Sequence, residues 1–229
     1  MIYGKKPIGT ISYLGGLMSL PEEFCWSWSQ MIQFNNEYLV QPNEFIYYIR
    51  SKVSFHSAAR NWLVDNMKGD WILMLDTDHV FEPDLAARMV NIMYTYDLQV
   101  LTGIYLQKGE PHMPVIYHWE KGDLNPKQIG DWEDKENHIF PIGSAGGGCL
   151  LIRKNVLNEI KIKLKESPFD IISPLGEDHS FFKRLQKLNI QAFCAPFIES
   201  NHLSVHKLEL EKDYKKEKVE LSKRILLNI

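Results

Sequence analysis

The stretch WILMLDTDHVFEPD, residues 71–84, decides how this chain is expected to fold. Its first five residues, Trp71 to Leu75, form an uninterrupted apolar run between a Gly-Asp pair and Asp76. A run of this length with these flanks predicts a strand that is buried on both faces, as in a parallel sheet. Pro83-Asp84 then opens a helix, because proline suits the first turn and apolar side chains follow at three- and four-residue spacing.

The same alternation of strand and helix continues on both sides of this stretch. The patterns predict strands over 7–13, 45–49, 99–106 and 190–195, a strand at the end of the Gly-rich segment 143–152, and helices from Pro21, over 54–68, from Pro83 to Tyr96 and over 176–188. This order predicts an α/β fold in which helices flank a mostly parallel, doubly wound central sheet.

Two segments depart from the alternation. Residues 107–139 lack periodicity and predict either long loops or an antiparallel excursion, and length of this kind inside a domain is more often functional than accidental. Residues 200–206 predict a polar turn. The domain is expected to end at residue 206, and 207–229 to form a charged, amphipathic, helix-prone tail.

Composition excludes several classes of protein. The chain has 229 residues, of which 45% are hydrophobic, so it is not expected to be disordered, and no apolar run approaches the roughly 20 residues of a membrane span. Cys25, Cys149 and Cys194 are far apart and odd in number, which fits a reducing compartment. The N-terminus lacks the apolar segment of a signal peptide. We therefore expect a cytoplasmic domain, with Cys149 in its core.

The formal net charge of −3 is unevenly distributed. Residues 207–229 hold seven basic and five acidic residues, so the preceding body has an acidic excess of five charges. Such a body is not expected to bind nucleic acid, which requires a basic surface. For the tail, packing on the domain, contact with a membrane surface and docking to a partner helix all remain open, and the oligomeric state is not indicated.

Asp76-Thr77-Asp78 is the strongest candidate site, because it follows the buried strand directly. In open α/β sheets, ligands bind outside the carboxyl ends of the strands. Two carboxylates on a tight turn there can converge on one divalent cation, or on a ribose and a cation, and hard oxygen ligands suit Mg²⁺ or Mn²⁺. His79, His202 and His206 are further candidate ligands.

Three other groups carry potential chemistry. Glu177-Asp178 opens a predicted helix, so one acid can interact with the helix N-terminus while the other faces a cleft as a general base. Arg60-Asn61, early in a helix, could contact phosphate or base. Gly146-Gly147-Gly148 predicts either close approach of a ligand to the backbone or a tight turn, and it lacks the G-K-[ST] ending of a P-loop.

The order of these motifs resembles that of the GT-A-fold glycosyltransferases, close to the family-2-like enzymes of bacteria and phages. The resemblance covers most of residues 8–206, through ISYLGGLMSLPEEF, AARNWLV, WILMLDTDHVFEPDL, VLTGIYLQKGEPHMPVIY, GGGCLLIRKNVL, GEDHSFFKRLQKLNI and NHLSVH. It implies a GT-A (Rossmann-like) fold and the transfer of a sugar from a nucleotide-sugar donor to an acceptor hydroxyl with a divalent metal, commonly Mn²⁺.

The resemblance also implies roles for individual residues. Asp178, with Glu177 as the second choice, is implied as the base that takes the acceptor proton, which inverts the anomeric configuration. The residues implied for the metal are Asp76, Asp78 and His202, and those implied for the donor are Arg60, Asn61, Asp76, Thr77, Asp78, Gly147 and Gly148.

Departures from the family pattern leave alternatives open. His79 stands where many relatives carry an apolar residue or an acid, and Leu203-Ser204 replaces a glycine after the late histidine. Arg50-Ser51 stands where many family-2 enzymes carry an acid that contacts the base, so the nucleotide is not identified. The acceptor, whether glycan, protein or small molecule, is not identified either. Trp119 and Trp132 are candidates to line its site, whereas Trp62 and Trp71 are expected in the core.

Three other functions remain as alternatives: a retaining transferase of the same fold, a nucleotidyltransferase, and a nucleotide- or carbohydrate-binding module without turnover. A nucleotidyltransferase usually has a Gly- and Lys-rich N-terminal loop for the triphosphate, and Gly15-Gly16 lacks a basic residue soon after it. The carboxylates Asp76, Asp78 and Asp178 argue against a module that has lost its activity.

Overall fold

One mixed β-sheet organises the part of the chain that a computed structural model describes, residues 7–15, 19–40, 44–120, 126–130 and 137–203. The strands are β1 (Thr10–Leu14), β2 (Tyr47–Ser51), β3 (Trp71–Leu75), β4 (His79–Phe81), β5 (Val100–Ile104), β6 (Ile116–His118), β7 (Lys127–Gln128), β8 (Phe140–Ile142), β9 (Ser144–Ala145), β10 (Cys149–Arg153) and β11 (Ala192–His202). The main sheet has the order β2-β1-β3-β10-β5-β11-β4, with β8 also paired to β11.

Most of the long strands run in one direction. β1 pairs in parallel with β2 and β3, and β5 pairs in parallel with β11. β10 lies antiparallel between β3 and β5, so these two neighbours share a direction. The carboxyl ends of β1, β2, β3 and β5 therefore meet at one edge of the sheet. The expected α/β fold with a mostly parallel central sheet is confirmed.

Helices cover both faces of this sheet. They are α1 (Glu22–Tyr38), α2 (His56–Asn66), α3 (Leu85–Thr95), α4 (Lys154–Glu159), which continues as a π-helical segment (Ile160–Leu164), and α5 (Glu177–Lys187). Within the described residues, none of these helices has the length and hydropathy needed to cross a membrane.

The strand β3 shows why the deciding stretch is apolar throughout. Trp71, Leu73 and Leu75 belong to the core that β3 shares with α1 and α3, whereas Ile72 and Met74 belong to the core shared with α2, α4 and α5. Successive side chains of a strand point to opposite faces, so a strand between two layers needs apolar residues at every position. All five side chains are essentially inaccessible to solvent, and each contributes about 1.5–3 kcal/mol to folding.

The tryptophans and cysteines test the predicted core. Trp71 and Cys149 are buried as expected. The prediction for Trp62 is wrong, because this side chain keeps 39% of its surface exposed while Leu63 beside it is fully buried. Consecutive positions of a helix are about 100° apart, so one of two adjacent apolar residues turns to solvent.

The segment 107–139 forms an antiparallel excursion where it is described. β6 pairs with β7 and with β9 to make a separate three-stranded sheet. Trp132 lies outside the described residues. The helical segment formed by α4 and its π-helical continuation was not predicted.

The end of β11 also departs from the sequence-based expectation. The predicted polar turn begins at Ser200, but the strand continues to His202. Its register on β5 shifts between Cys194 and Glu199, and the last residues, Ser200 to His202, pair with β4. Polar residues are accommodated because this part of the strand reaches the edge where the candidate site lies. His206, the domain boundary and the tail lie outside the described residues.

A close contact at Gly9 gives a test of the packing around β3. A Cβ atom at Gly9 would lie 2.1 Å from Cδ2 of the buried Trp71 ring. We expect Gly9→Ala to destabilise the protein by about 1–3 kcal/mol through overpacking, and to lower Tm by roughly 2–12 °C in a thermal melt. Gly109→Ala is the control, because nothing lies within 4 Å of its added methyl group. Equal melting temperatures for both variants would contradict this packing.

Candidate active site

The candidate site lies at the carboxyl edge of the sheet, where Asp76 follows β3. The N–H of Asp76 donates a hydrogen bond to the carbonyl oxygen of Gly148, 3.1 Å away, which joins this turn to the glycine segment before β10. Gly148 has no room for a side chain, because a Cβ there would lie 2.6 Å from Cε1 of His79. The glycines therefore allow two polypeptide segments to approach each other closely at this edge.

Arg60, on α2, connects three parts of the site. Its Nη2 donates to Oδ1 of Asp76 at 3.0 Å, its Nη1 donates to the carbonyl oxygen of Gly147 at 3.0 Å, and its Nε reaches Oε1 of Glu177 at 3.4 Å. Arg60 is only 2% exposed. A charge this deeply buried is tolerated when it is paired and hydrogen-bonded, and a guanidinium has the donors to serve several acceptors at once. Arg60 thus holds Asp76 and Glu177 in place from inside the protein.

A potential cation site lies beside this connection. Asp78, His79 and His202 each offer one ligand atom, and these atoms all lie within 4.8 Å of one another. Asp78 lies in the turn directly before β4, β4 brings His79, and β11 brings His202, which is the strand partner of His79. The two imidazole rings meet edge to face with centroids 4.2 Å apart.

The chemistry of His79 fits a metal ligand. Its Nδ1 lies 2.7 Å from Oγ of Ser200, whereas its Nε2 is buried and has no hydrogen-bond partner among the described residues. Burial, with His202 adding to the effect, lowers the pKa of His79 to about 3, so the ring is neutral at physiological pH. A buried ring nitrogen without a partner is costly, and in the tautomer whose Nδ1 donates to Ser200 the Nε2 lone pair would be satisfied by coordination of a cation.

His202 is oriented in a corresponding way. Its Nδ1 contacts the carbonyl oxygen of Leu106, and a carbonyl can only accept, so Nδ1 carries the proton and donates. Nε2 is then the nitrogen that can bind a cation, as is usual for histidine ligands held by a second hydrogen bond.

Asp78 is the anionic member of this group. Although burial alone would raise the pKa of Asp78, the hydrogen bond from Lys108 and the charge of its ammonium lower it below its ordinary value. Asp78 is therefore ionised, and its Oδ2 is paired with the Lys108 ammonium. The residues present fit a divalent cation held by one carboxylate and two imidazoles, a donor set that suits Mn²⁺ better than Mg²⁺.

Asp178 lies at the start of α5, next to Glu177. Its Oδ1 accepts a hydrogen bond of 2.7 Å from the N–H of His179. Burial raises the pKa of the Asp178 carboxyl above its ordinary value, although His179 and Arg60 act in the opposite direction. A carboxylate with a raised pKa is a better proton acceptor than an exposed one, which is what a general base requires.

Aromatic side chains lie close to Asp178. The ring of Tyr117 meets that of His179 edge to face with centroids 4.8 Å apart, and Nδ1 of His179 lies 2.6 Å from Oγ of Ser144. Trp119 is half-buried and donates from Nε1 to the carbonyl oxygen of Gly143 at 2.7 Å. Trp119 also lines a cavity of about 310 Å³.

The structure separates the residues proposed from the sequence into two groups. Asn61 lies away from the site. Its side chain donates to Oδ1 of Asp170 at 2.8 Å and accepts from the N–H of Phe169 at 3.0 Å, and so anchors the loop before α5. Those at or next to the carboxyl edge are Arg60, Asp76, Thr77, Asp78, Gly147, Gly148, Glu177, Asp178 and His202.

Two of the residues brought together play parts that differ from those implied by the resemblance. Arg60 was implied as a donor contact, but its guanidinium is turned inward onto protein acceptors. Glu177, implied as the second choice for the base, binds Arg60, and its Oε1 lies 3.9 Å from Nδ1 of His56.

Some residues at the site had no recognisable signal in the sequence. Tyr105 is buried and its hydroxyl accepts from the N–H of Gly148 at 3.1 Å, while its ring packs against those of His79 and His202. Ser200 supports His79 through a contact across 121 positions of sequence. An isolated tyrosine or serine carries no motif, so these contacts become visible only in the folded chain.

Comparisons with known proteins bear on this fold. No curated protein matches the chain significantly. Among solved structures, the crystal structure of A197 from STIV is similar with a TM-score of 0.54 and 17% sequence identity, over 85% of this chain and 85% of that one. GalNAc-T7, in a crystal structure with UDP, GalNAc and Mn²⁺, is similar with a TM-score of 0.60 and 12% identity, over 89% of this chain but only 44% of its own. At these identities the likeness shows a shared fold.

The family is assigned from a match to the sequence. The family described as Glycosyl transferase family 2 matches residues 31–160, which include β3, the Asp76-Thr77-Asp78 turn and β10. This match and the shared fold confirm the resemblance that the order of the motifs indicated. Because the matched residues make up more than half of the chain, the chain belongs to glycosyl transferase family 2 and is a glycosyltransferase.

Proposed function

We propose that this glycosyltransferase moves a sugar from a nucleotide-sugar donor to an acceptor hydroxyl, with a divalent cation at Asp78, His79 and His202. The observation that carries the proposal is the buried, unpartnered Nε2 of His79, which lies with two other ligand atoms at the carboxyl edge of the sheet. GalNAc-T7, which shares the fold, holds UDP, GalNAc and Mn²⁺ in its crystal structure, and this supports the choice of donor class and of Mn²⁺.

The residues around the cation site are assigned to different parts of the donor. Bound there, the cation supplies positive charge that neutralises the diphosphate leaving group. Asp76 accepts from Nη2 of Arg60 through both oxygens, at 3.0 Å and 3.4 Å, and is not part of the cluster of Asp78, His79 and His202, so we assign Asp76 and the adjoining Thr77 to the donor ribose. Gly147 and Gly148 line the same edge and are assigned to the donor through their backbone only, because Arg60 and His79 lie 2.4 Å and 2.6 Å from where their Cβ atoms would stand.

Asp178 is proposed as the general base. It removes the proton of the acceptor hydroxyl as the oxygen attacks the anomeric carbon opposite the departing diphosphate, which inverts the configuration. Its raised pKa supports this role, and so does the engagement of Glu177 by Arg60. The aromatic rings of Tyr117 and Trp119 near Asp178 are suited to pack against the apolar face of an acceptor.

The proposed function is tested directly by donor turnover. The purified chain is incubated with Mn²⁺ and a panel of nucleotide sugars, and the released nucleoside diphosphate is quantified with and without acceptor candidates. Release from one donor, with the anomeric configuration of the product determined by NMR, would identify the donor and distinguish inversion from retention. Absence of release from every donor would favour a binding module instead.

Removal of the Asp78 carboxylate should abolish metal binding at this site. We expect Asp78→Ala to weaken Mn²⁺ binding at least tenfold in calorimetry, because the only anionic member of the described cluster is lost, and to abolish Mn²⁺-dependent turnover. The control is Asp65→Ala, which removes a carboxylate that is 63% exposed and paired with Lys161. Mn²⁺ binding of unchanged affinity in Asp78→Ala would disprove the site.

The assignment of Asp178 predicts a separation between chemistry and binding. Asp178→Asn should lower kcat by roughly 10²–10⁴-fold and leave the affinity for the donor nucleotide unchanged, since the amide keeps the shape but cannot take a proton. Asp97→Asn is the matched control, because the Asp97 side chain is 90% exposed. In the wild-type enzyme, kcat/KM should fall as the pH drops through the raised pKa of Asp178, where protonation removes the base. Full transfer by Asp178→Asn would exclude this base.

Arg60 is predicted to act as a positioning residue. Arg60→Met leaves Asp76 and Glu177 without their partner. We therefore expect the free energy of unfolding to fall by about 3–5 kcal/mol and Tm to fall by roughly 6–20 °C. Arg60→Lys keeps the charge but not the forked geometry of the guanidinium. Its melting temperature should lie between those of the wild type and Arg60→Met. An Arg60→Met variant that melts like the wild type would show that the guanidinium does not hold these segments together.

A further inference from the structure

Lys108 places a positive charge on the carboxylate proposed to bind the metal. Its Nζ pairs with Oδ2 of Asp78, and the two side chains are 47% and 40% exposed. Asp78 is at the same time the anionic member of the cluster with His79 and His202. An ammonium and a divalent cation repel each other, so the two compete for this carboxylate.

The backbone that carries Lys108 is anchored next to the cluster. The carbonyl oxygen of Leu106 accepts from His202, and the N–H of Gln107 donates to the carbonyl oxygen of Met113 at 2.9 Å. The Gln107 side chain donates to the carbonyl oxygen of Pro111 at 2.7 Å. The Lys108 side chain extends from this fixed base on four carbons, so it can leave Asp78 and still remain at the edge of the site.

The positive charge of Arg60 is not available to a ligand in the same way. Arg60 is buried, and its guanidinium donates to Asp76, Gly147 and Glu177. Lys108 is half-exposed and has its ion pair on a residue whose charge a bound metal would take over. A diphosphate carries several negative charges, and it would meet the released ammonium at the rim of the cluster.

We propose that Lys108 is a built-in counter-cation, which occupies Asp78 in the empty enzyme and moves to the donor diphosphate when the metal binds. This inference rests on the proposed function, because it takes Asp78 as a metal ligand. Lys108 then opposes metal binding in the absence of donor and favours nucleotide binding in the presence of metal. Removal of one side chain is thus expected to change the two affinities in opposite directions.

The experiment measures both affinities by calorimetry for the wild type and for Lys108→Met. Mn²⁺ alone is the first probe, and UDP and GDP in the presence of saturating Mn²⁺ are the second. We expect Lys108→Met to bind Mn²⁺ about fivefold more tightly, since a competing exposed ion pair is removed, and to bind the preferred nucleotide about tenfold more weakly. Lys108→Arg, which keeps the charge, should restore nucleotide binding.

Lys127→Met is the control. The Lys127 ammonium is also about half-exposed and pairs with the exposed carboxylate of Glu120, so its removal should leave both affinities unchanged. Unchanged Mn²⁺ affinity in Lys108→Met would overturn the competition, and unchanged nucleotide affinity would overturn the contact with diphosphate. If the wild type binds Mn²⁺ through Asp78 and either result occurs, the inference fails while the metal site stands. If neither the wild type nor Lys108→Met binds Mn²⁺, the proposed metal site is wrong, and the inference about Lys108 is wrong with it.

Discussion

The ion pairs of Arg60 are the interaction on which the geometry of the site depends. The guanidinium joins the turn after β3, the turn before β10 and the start of α5, three segments that are far apart in the sequence. A buried charge of this kind would cost several kcal/mol if one of its partners were missing, so the native state favours the arrangement in which all three are present. Asp76, the backbone of Gly147 and Glu177, the neighbour of the proposed base, are therefore held in one fixed relation by a buried residue.

The charges around this connection follow a consistent order from the interior to the solvent. Arg60 neutralises Asp76 and Glu177 from inside, and Lys108 neutralises Asp78 from outside. His79 and His202 lie between them as neutral imidazoles, because burial lowers the pKa of each ring. Part of the acidic excess of the body is thus gathered at the one edge of the sheet where a divalent cation and a diphosphate could balance it.

Features with a strong local signal were predicted well. β3 begins and ends at the predicted residues, because an apolar run between a glycine and an aspartate leaves few alternatives, and the helices over α2, α3 and α5 lie within a few residues of their predicted bounds. Features that depend on contacts between residues distant in the sequence were not predicted. Trp62 was expected in the core and lies at the surface, and Asn61 binds Asp170, which is 109 positions away, instead of pointing into the site. The pairing of the last residues of β11 with β4 joins segments that are distant in the sequence, and no periodicity indicates it.

The sequence by itself determined the class of fold and the family, and it indicated the edge of the sheet at which the candidate site lies. These follow from periodicity and motif order, which record the local preference of each segment for burial or for a turn. Only the tertiary structure decided which neighbours each charged group has. It buried Arg60 against protein acceptors, brought His79 close to Asp78 and His202, and paired Lys108 with the carboxylate of Asp78. The reason is physical: the role of an ionisable side chain depends on its burial and on the charges within a few ångströms, and the fold alone sets both.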